Sequence, residues 1–214
     1  MYKIPVMLEH LSALIIQFIQ TSGYLGIFLL MTLESALIPI PSEITMPFAG
    51  FLAFSGHLNL ILVIVVGAVG NLVGSLLAYG LGFYLEETII VKLIKRYGKI
   101  ILVTIDDYEK SIRWLKRYGD FVTFFSRLLP AVRTFISLPA GLSEMNIWKF
   151  SAYTFLGSLI WSAVLAYIGF YLGTKWNSLE PYFRKFQMVI VVFLVVGILI
   201  YINHKLKIIK LGKK

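Results

Sequence analysis

Four charged residues in otherwise apolar stretches have types and spacings that could do chemistry: Glu34, Glu43, Arg127 and Arg133. The two arginines are six residues apart around Pro130, with hydroxyl side chains beside them. Two guanidinium groups and nearby hydroxyls can bind a phosphate, because the planar fork of arginine matches phosphate oxygens and keeps its charge when partly dehydrated. The predicted phosphate-binding residues are Arg127, Arg133, Ser126, Thr134 and Ser137.

Glu34 and Glu43 supply two negative charges for the two positive ones. Neutralisation matters inside lipid, where one charged side chain costs at least about 2.5–3.5 kcal/mol at the centre of a helix. Because burial favours the neutral form of a carboxyl group, the glutamates could also take up protons and couple transport to a proton or cation gradient. Two other interpretations stay open: the charges form ion pairs that only hold the fold together, or they reach water by snorkelling.

Hydrolytic and metal chemistry is not indicated by the sequence. The chain has no cysteine, and His10, His57 and His204 are scattered outside the charged segments, so no histidine relay or metal triad can be assembled. Gly80-Leu81-Gly82 has no preceding strand and no following Lys-Ser/Thr, so close helix packing explains it better than nucleotide binding. We predict no enzyme activity, no metal and no cofactor.

The elements that must position the four charges are membrane helices. The 214 residues are 58% hydrophobic and 14% charged, whereas soluble domains carry roughly 25% charged residues. Stretches free of Asp, Glu, Lys and Arg cover residues 10–33, 44–85, 150–174 and 186–203, and each is long enough for a spanning helix of about 17–25 residues. The second stretch is too long for one helix, so we predict a hairpin element followed by a spanning helix.

The distribution of basic residues predicts the topology. Of the 20 Lys and Arg residues, eight lie in 86–120 and five in 203–214, so the central segment and the C-terminus are predicted to be cytoplasmic. The net charge of +9 is interpreted as topology plus contact with anionic lipids, and no nucleic-acid recognition motif accompanies it. Aromatic residues predicted to anchor the helices at the interface are Trp148, Trp161, Trp176, Tyr153 and Tyr182.

The chain also repeats itself. Residues 70–85 align without gaps with residues 157–172, with seven of the sixteen positions identical, although chance similarity between two glycine-rich helices is an alternative. A proline-broken segment precedes each copy, and Pro39 and Pro41 cannot both sit inside a regular helix, because proline lacks the amide donor. The residues predicted to shape two re-entrant hairpins are Pro39, Pro41, Ser42, Gly50, Pro130, Pro139 and Gly141.

We therefore predict an all-α polytopic membrane protein with two inverted repeats, each an interfacial helix, a re-entrant hairpin and a transmembrane helix, plus a C-terminal transmembrane helix. The first repeat is placed at 20–85, re-entrant at about 22–57 and spanning at about 58–85, and a cytoplasmic amphipathic segment follows at 86–120. The second repeat is placed at 121–174, re-entrant at about 121–143 and spanning at about 147–173. A transmembrane helix at 186–204 and a basic cytoplasmic tail at 205–214 complete the chain.

These residues resemble the DedA family, which carries the domain called VTT or SNARE-associated. The resemblance covers roughly residues 20–175 and rests on the following residues: Glu34, Pro39-Ile40-Pro41-Ser42-Glu43, Gly50, Phe125-Ser126-Arg127, Pro130, Arg133, Ala140-Gly141, Phe150, Gly157 and Trp161. It implies two facing re-entrant hairpins and coupling to a proton or sodium gradient. One departure bears on coupling, because many members carry an acid where this chain has Gly74-Ser75.

The resemblance also implies what is moved and where. Similar bacterial proteins in the cytoplasmic (inner) membrane return undecaprenyl phosphate to the cytoplasmic face, and relatives flip or scramble phospholipids such as phosphatidylethanolamine. We therefore expect a transporter for a lipid with an anionic phosphate headgroup, with undecaprenyl phosphate recycling as its role. The alternatives are a phospholipid flippase or scramblase and, in another class, a membrane scaffold that transports nothing.

Overall fold

The charge-free stretches form helices in the computed structural model of the chain, which describes residues 3–38, 40–85, 92 and 105–173. This part of the chain has no strand, and its helices are α1 (Lys3–Ser35), α2 (Ser42–Phe54), α3 (Leu60–Tyr84), α4 (Ile105–Ser126), α5 (Pro130–Arg133), α6 (Ser137–Leu142) and α7 (Ile147–Tyr171). The all-α prediction is confirmed for these residues. Outside them lie Pro39, most of 86–104, the helix predicted at 186–204 and the tail at 205–214.

Three helices are long and apolar enough to cross a bilayer, judged by length and composition: Ala13–Ser35 within α1, and the whole of α3 and α7. The outer faces of α3 and α7 expose large apolar side chains, among them Ile61, Leu77, Leu81, Val164 and Tyr167. Apolar surface of this extent is typical of a membrane-contacting face. The chain is a multi-pass membrane protein.

Asparagine residues at matching positions begin the two repeated helices. The Asn59 side chain accepts hydrogen bonds from the amides of Ile61 and Leu62, at 2.9 and 3.2 Å, and so caps α3. Asn146 caps α7 in the same way, through the amides of Trp148 and Lys149. The two asparagines have the same separation as the copies at 70–85 and 157–172, so the similarity extends beyond the identical residues.

α1 bends at Gly23, whose φ of 57° and ψ of −128° lie in a region that favours glycine. A turn joins the part of α1 after the bend to α2, and in this turn Leu37 also has a positive φ, of 73°. The 13 residues of α2 rise about 20 Å, whereas the hydrocarbon core of a bilayer is about 30 Å thick. α2 alone is therefore too short to cross.

Each short helix after a turn packs on the long helix of the other half. A Cβ atom on Gly50 of α2 would lie 2.0 Å from the carbonyl oxygen of Ala166 in α7, and one on Gly169 would lie 1.8 Å from that of Pro47. In the same way α6 of the second half packs on α3 of the first, since a Cβ on Gly141 would lie 2.1 Å from the carbonyl oxygen of Tyr79. The backbones touch at these points, so the two halves interlock.

The largest group of buried apolar side chains lies between α1, α2, α3 and α7, and includes Ile27, Met31, Met46, Phe48 and Val63. A smaller group around Tyr79, Leu115, Ala140 and Phe150 joins α3, α4, α6 and α7. The ends of α1, α4 and α5 meet near these two groups, and Glu34, Arg127 and Arg133 lie at those ends.

Candidate functional site

Three of the four predicted charged residues are buried: Glu34, Arg127 and Arg133 are 6%, 2% and 5% exposed. Glu34 lies near the end of α1, Arg127 directly follows α4, and Arg133 ends α5. The fourth, Glu43, is half-buried in the first turn of α2 and makes no hydrogen bond or ion pair with the residues that the structure describes. The acid and base segments of the two halves thus come together, with Glu43 at their margin.

Arg133 joins the two halves through an ion pair. Its Nη2 donates to Glu34 Oε1 and to Ser42 Oγ, and the Ser42 amide donates to the same Glu34 oxygen at 3.3 Å. Its guanidinium carbon lies 5.4 Å from the centre of the Trp161 ring. Pro130 begins α5, where a missing amide donor has no consequence, and this single turn positions Arg133 against the end of α1.

Arg127 is held instead by neutral acceptors. Its Nη1 donates to Ser75 Oγ and to the Arg133 carbonyl oxygen, both at 2.9 Å. Its Nη2 donates to Ser137 Oγ at 3.0 Å and to Thr154 Oγ1 at 3.1 Å. We call Arg127, Ser75, Ser137 and Thr154 the Arg127 cluster; among described residues it contains no carboxylate.

A glycine makes room for the Arg127 cluster. A Cβ atom on Gly157 would lie 2.7 Å from Arg127 Cβ, so only glycine lets α7 approach the arginine this closely. The guanidinium carbon of Arg127 lies 5.5 Å from the centre of the Phe150 ring, which closes the cluster on one side. Hydrogen bonds to a charged donor are roughly twice as strong as neutral ones, so the cluster links α3, α5, α6 and α7 to the end of α4.

The remaining predicted site residues differ in their surroundings. Ser137 accepts from Arg127, whereas the Ser126 hydroxyl donates to the Thr123 carbonyl of its own helix at 3.0 Å. Thr134 is half-buried, and its side chain makes no hydrogen bond within the described residues. The residues predicted to shape the hairpins lie at turns or close contacts: Pro41 and Ser42 start α2, Pro130 starts α5, Pro139 lies in α6, and Gly50 and Gly141 make the backbone contacts given above.

Sequence reasoning missed several residues of this site. Ser75 and Thr154 were not predicted, although Ser75 is identical in the repeat, and a hydroxyl kept in both copies of an apolar helix was a usable signal. Trp161 was predicted as an interfacial anchor; it is instead half-buried near the middle of α7, beside Arg133. Trp148, which is 80% exposed at the start of α7, fits the anchor role.

Two open cavities adjoin α4. An apolar groove of about 580 Å³ runs along this helix to the segment that carries the arginines, and its lining includes Trp114, Tyr118, Phe125, Leu129 and Val132. A cavity of about 620 Å³ between α4 and the α6–α7 turn is more polar, with Lys116, Arg117, Asp120, Glu144 and Lys149 at its walls. Lys149 and Asp120 form an ion pair across it at 2.8 Å.

Known proteins resemble the chain over most of its length. It is 32% identical to the "Alkaline phosphatase-like protein" of Lactococcus lactis over 91% of this chain and 94% of that one. It is 30% identical to "Undecaprenyl phosphate transporter A" of Staphylococcus aureus over 91% and 98%, and 26% identical to "Protein DedA" of Escherichia coli over 92% and 89%. A comparison with solved structures found no match.

The family comparison identifies the domain. The VTT domain matches residues 40–171, a range that contains Glu43, both arginines, Trp161 and the two repeated helices. The motifs that suggested the resemblance lie mainly in this range, and the relatives match far beyond it on both sides. The chain therefore belongs to the DedA family of VTT-domain membrane proteins.

Proposed function

We propose that the protein moves a lipid with a phosphate headgroup across the cytoplasmic membrane, and that this lipid is undecaprenyl phosphate. The observation that carries the proposal is Arg133, a buried guanidinium between the two halves that forms an ion pair with one carboxylate of the described residues, Glu34. A transported anion can replace that carboxylate without leaving the arginine unpaired. The name of the Staphylococcus aureus relative supports undecaprenyl phosphate as the substrate.

We further propose that the two halves are inverted repeats with re-entrant hairpins. The matching asparagine caps and the exchanged backbone contacts support this. If residues 39–50 are aligned with 130–141, then Ser42 corresponds to Arg133 and Gly50 to Gly141. Ser42 and Arg133 touch each other, as corresponding residues near a two-fold axis do. Such an axis in the membrane plane is the plan of many secondary transporters.

In the proposed mechanism the lipid phosphate displaces Glu34 from Arg133. Among the described residues, Glu34 then keeps contacts with Ser42 alone, whose amide donates to it at 3.3 Å. A buried carboxylate that loses its cation is unfavourable by several kcal/mol, so a proton or another cation binds with the substrate. Glu43, which is half-buried and has no described partner, is a second group that could carry the coupling proton.

Of the residues predicted to bind phosphate, we assign to Arg133 the contact that the lipid phosphate takes over from Glu34. We assign to Arg127 the role of holding Arg133 in place. The Arg127 guanidinium donates to the Arg133 carbonyl oxygen, so it holds the backbone of α5 in place, and Ser137 shares that network. Ser126 and Thr134 lie one residue from these arginines and are proposed as secondary contacts. The hydrocarbon tail stays in lipid, and the apolar groove along α4, which reaches Val132 beside Arg133, is proposed to hold its end.

The test is transport of labelled undecaprenyl phosphate in reconstituted vesicles by wild type and Arg133→Ala. We expect Arg133→Ala to lower the transport rate by about 100-fold or more, while Arg113→Ala, at an exposed arginine of α4 that pairs with Glu109, keeps the wild-type rate. Equal rates for Arg133→Ala and wild type would remove the arginine from the mechanism. Central basic residues are proposed to face the cytoplasm, which cysteine labelling tests directly in this cysteine-free chain.

The same vesicles separate the alternatives. A scramblase moves lipids without a gradient and regardless of headgroup. A phosphatase, the activity that the name of the Lactococcus lactis relative suggests, releases inorganic phosphate from the lipid. A scaffold does neither. Exchanging the ion pair as Glu34→Arg with Arg133→Glu distinguishes a site from a fold-holding pair, because a site loses transport even where folding is restored.

A further inference from the structure

Three buried polar atoms at or beside the Arg133–Glu34 ion pair make no hydrogen bond within the part of the chain that the structure describes. They are Arg133 Nε, Glu34 Oε2 and Trp161 Nε1. The Arg133 guanidinium carbon lies over the Trp161 ring, 5.4 Å from its centre, so the indole is beside the ion pair. An unpaired buried polar group is unfavourable, and a buried indole N–H usually finds an acceptor.

On one edge of the Arg133 guanidinium, Nη2 alone makes hydrogen bonds with described residues. Nε and Nη2 of an arginine lie on the same edge and together suit a bidentate anion. Here Nη2 donates to Glu34 and Ser42, whereas neither Nε nor the second oxygen of Glu34 has a hydrogen-bond partner among the described residues. The carboxylate thus fills the edge incompletely, and a ligand with more acceptor oxygens would satisfy both donors.

We propose that the Trp161 indole N–H and the Nε–Nη2 edge of Arg133 together form the headgroup site, and that this site selects a phosphate monoester. The proposal rests on the transport function proposed above. A monoester has three terminal oxygens, which match three donors, whereas the diester of a phospholipid has two. Trp161 is therefore a specificity-determining residue.

The first half of the chain offers no second copy of this donor. The repeat places Gly74 at the position of Trp161. A Cβ atom on Gly74 would lie 2.0 Å from the Thr32 carbonyl oxygen, so the corresponding space is filled by the contact between α1 and α3. Within the described residues, the indole donor is therefore present in the second half alone.

The experiment uses the full chain with Trp161→Phe, which keeps an aromatic ring beside Arg133 and removes the N–H. Transport is measured against lipid concentration for undecaprenyl phosphate and for phosphatidylglycerol, a diester. We expect the half-saturating concentration of undecaprenyl phosphate to rise about tenfold, with the diester unaffected. Trp148→Phe, at an exposed tryptophan of the same helix, is the matched control and should change neither.

An unchanged half-saturating concentration, or an equal loss for both lipids with a lower unfolding temperature, would overturn the proposal in favour of simple packing. If Trp161→Phe does not fold, an analogue that replaces the indole N–H by sulfur at position 161 decides the question with almost no change of shape. Nitrogen-15 spectra of the wild-type indole groups provide a readout that needs no transport. If undecaprenyl phosphate does not shift the Trp161 signal, the indole N–H does not contact the headgroup and the proposal is wrong. If the signal shifts in a protein that moves no lipid, only the proposed transport function is wrong.

Discussion

Arg127 and Arg133 are separated by one short turn and are equally buried, yet they are held in opposite ways. Arg127 donates to three hydroxyls and a carbonyl oxygen, all neutral. Arg133 donates to a carboxylate and to the Ser42 hydroxyl of the other half. Neutral acceptors on four elements fix a guanidinium in place, whereas a carboxylate acceptor can be exchanged for another anion. The difference separates a residue that shapes the site from one that can bind.

The proposed repeat extends the comparison to the first half. The shift that relates the two repeated helices places Gly67 at the position of Thr154 and Ser162 at that of Ser75. A Cβ on Gly67 would lie 2.7 Å from the Met46 sulfur and 3.3 Å from Ser162 Oγ. The first half thus packs a methionine where the Arg127 cluster has the Ser137 hydroxyl, and a glycine where the cluster has Thr154.

The largest expected effect is the loss of stability in Arg127→Met. This change leaves Ser75, Ser137 and Thr154 without their shared donor in a buried site, so we expect the free energy of unfolding to fall by about 3–5 kcal/mol. Thermal unfolding in detergent measures it, with Arg113→Met as the control at an exposed arginine.

Adding Ser137→Met and Thr154→Gly to Arg127→Met copies the packing of the first half into the second. This triple variant should regain part of the lost stability, because apolar groups then replace the unpaired hydroxyls. A triple variant that unfolds at the same temperature as Arg127→Met, or below it, contradicts the correspondence between the two clusters.

Arg133→Met should have the next largest effect, on transport more than on folding. We expect the transport rate to fall by about 100-fold, because the two hydrogen bonds that the Arg133 guanidinium is proposed to donate to the lipid phosphate are lost. The unfolding temperature should fall less than in Arg127→Met, and Glu34→Gln in the same chain should restore much of it, because no unpaired carboxylate is left. Transport and thermal unfolding of both variants are measured together. Equal destabilisation by the two arginine changes would abolish the distinction between them.

The sequence predicts the helices and the approach of the acidic and basic segments better than it predicts which residues pair with each other. Long apolar stretches and proline-broken segments indicate helices and turns, because both follow from local chemistry. Which acid meets which base depends on the exchange of α2 and α6 between the halves, which is not visible along the chain. Ser75 and Trp161 were missed for the same reason, since their importance comes from residues more than 25 positions away.

A smaller effect is expected where the two halves interlock. In Gly169→Ala the new methyl group would lie 1.8 Å from the Pro47 carbonyl oxygen, so α2 and α7 must move apart. We expect the free energy of unfolding to fall by about 1–3 kcal/mol. Gly80→Ala, on the same type of helix with no atom within 4 Å of the new Cβ, is the control and should be neutral or slightly stabilising. Thermal unfolding that ranks these two variants in the reverse order contradicts the exchange of short helices.

The smallest effect on folding is expected from Glu43→Gln. Glu43 is half-buried and has no described partner, so its neutralisation should change the free energy of unfolding by no more than about 0.5 kcal/mol. Glu34→Gln removes the counter-charge of Arg133 and should be clearly more destabilising. Proton uptake by vesicles during lipid transport then distinguishes the two acids. If Glu34 carries the coupling proton, Glu43→Gln transports with the wild-type number of protons per lipid; if that number falls in Glu43→Gln instead, the exchange at Arg133 is not the coupling step.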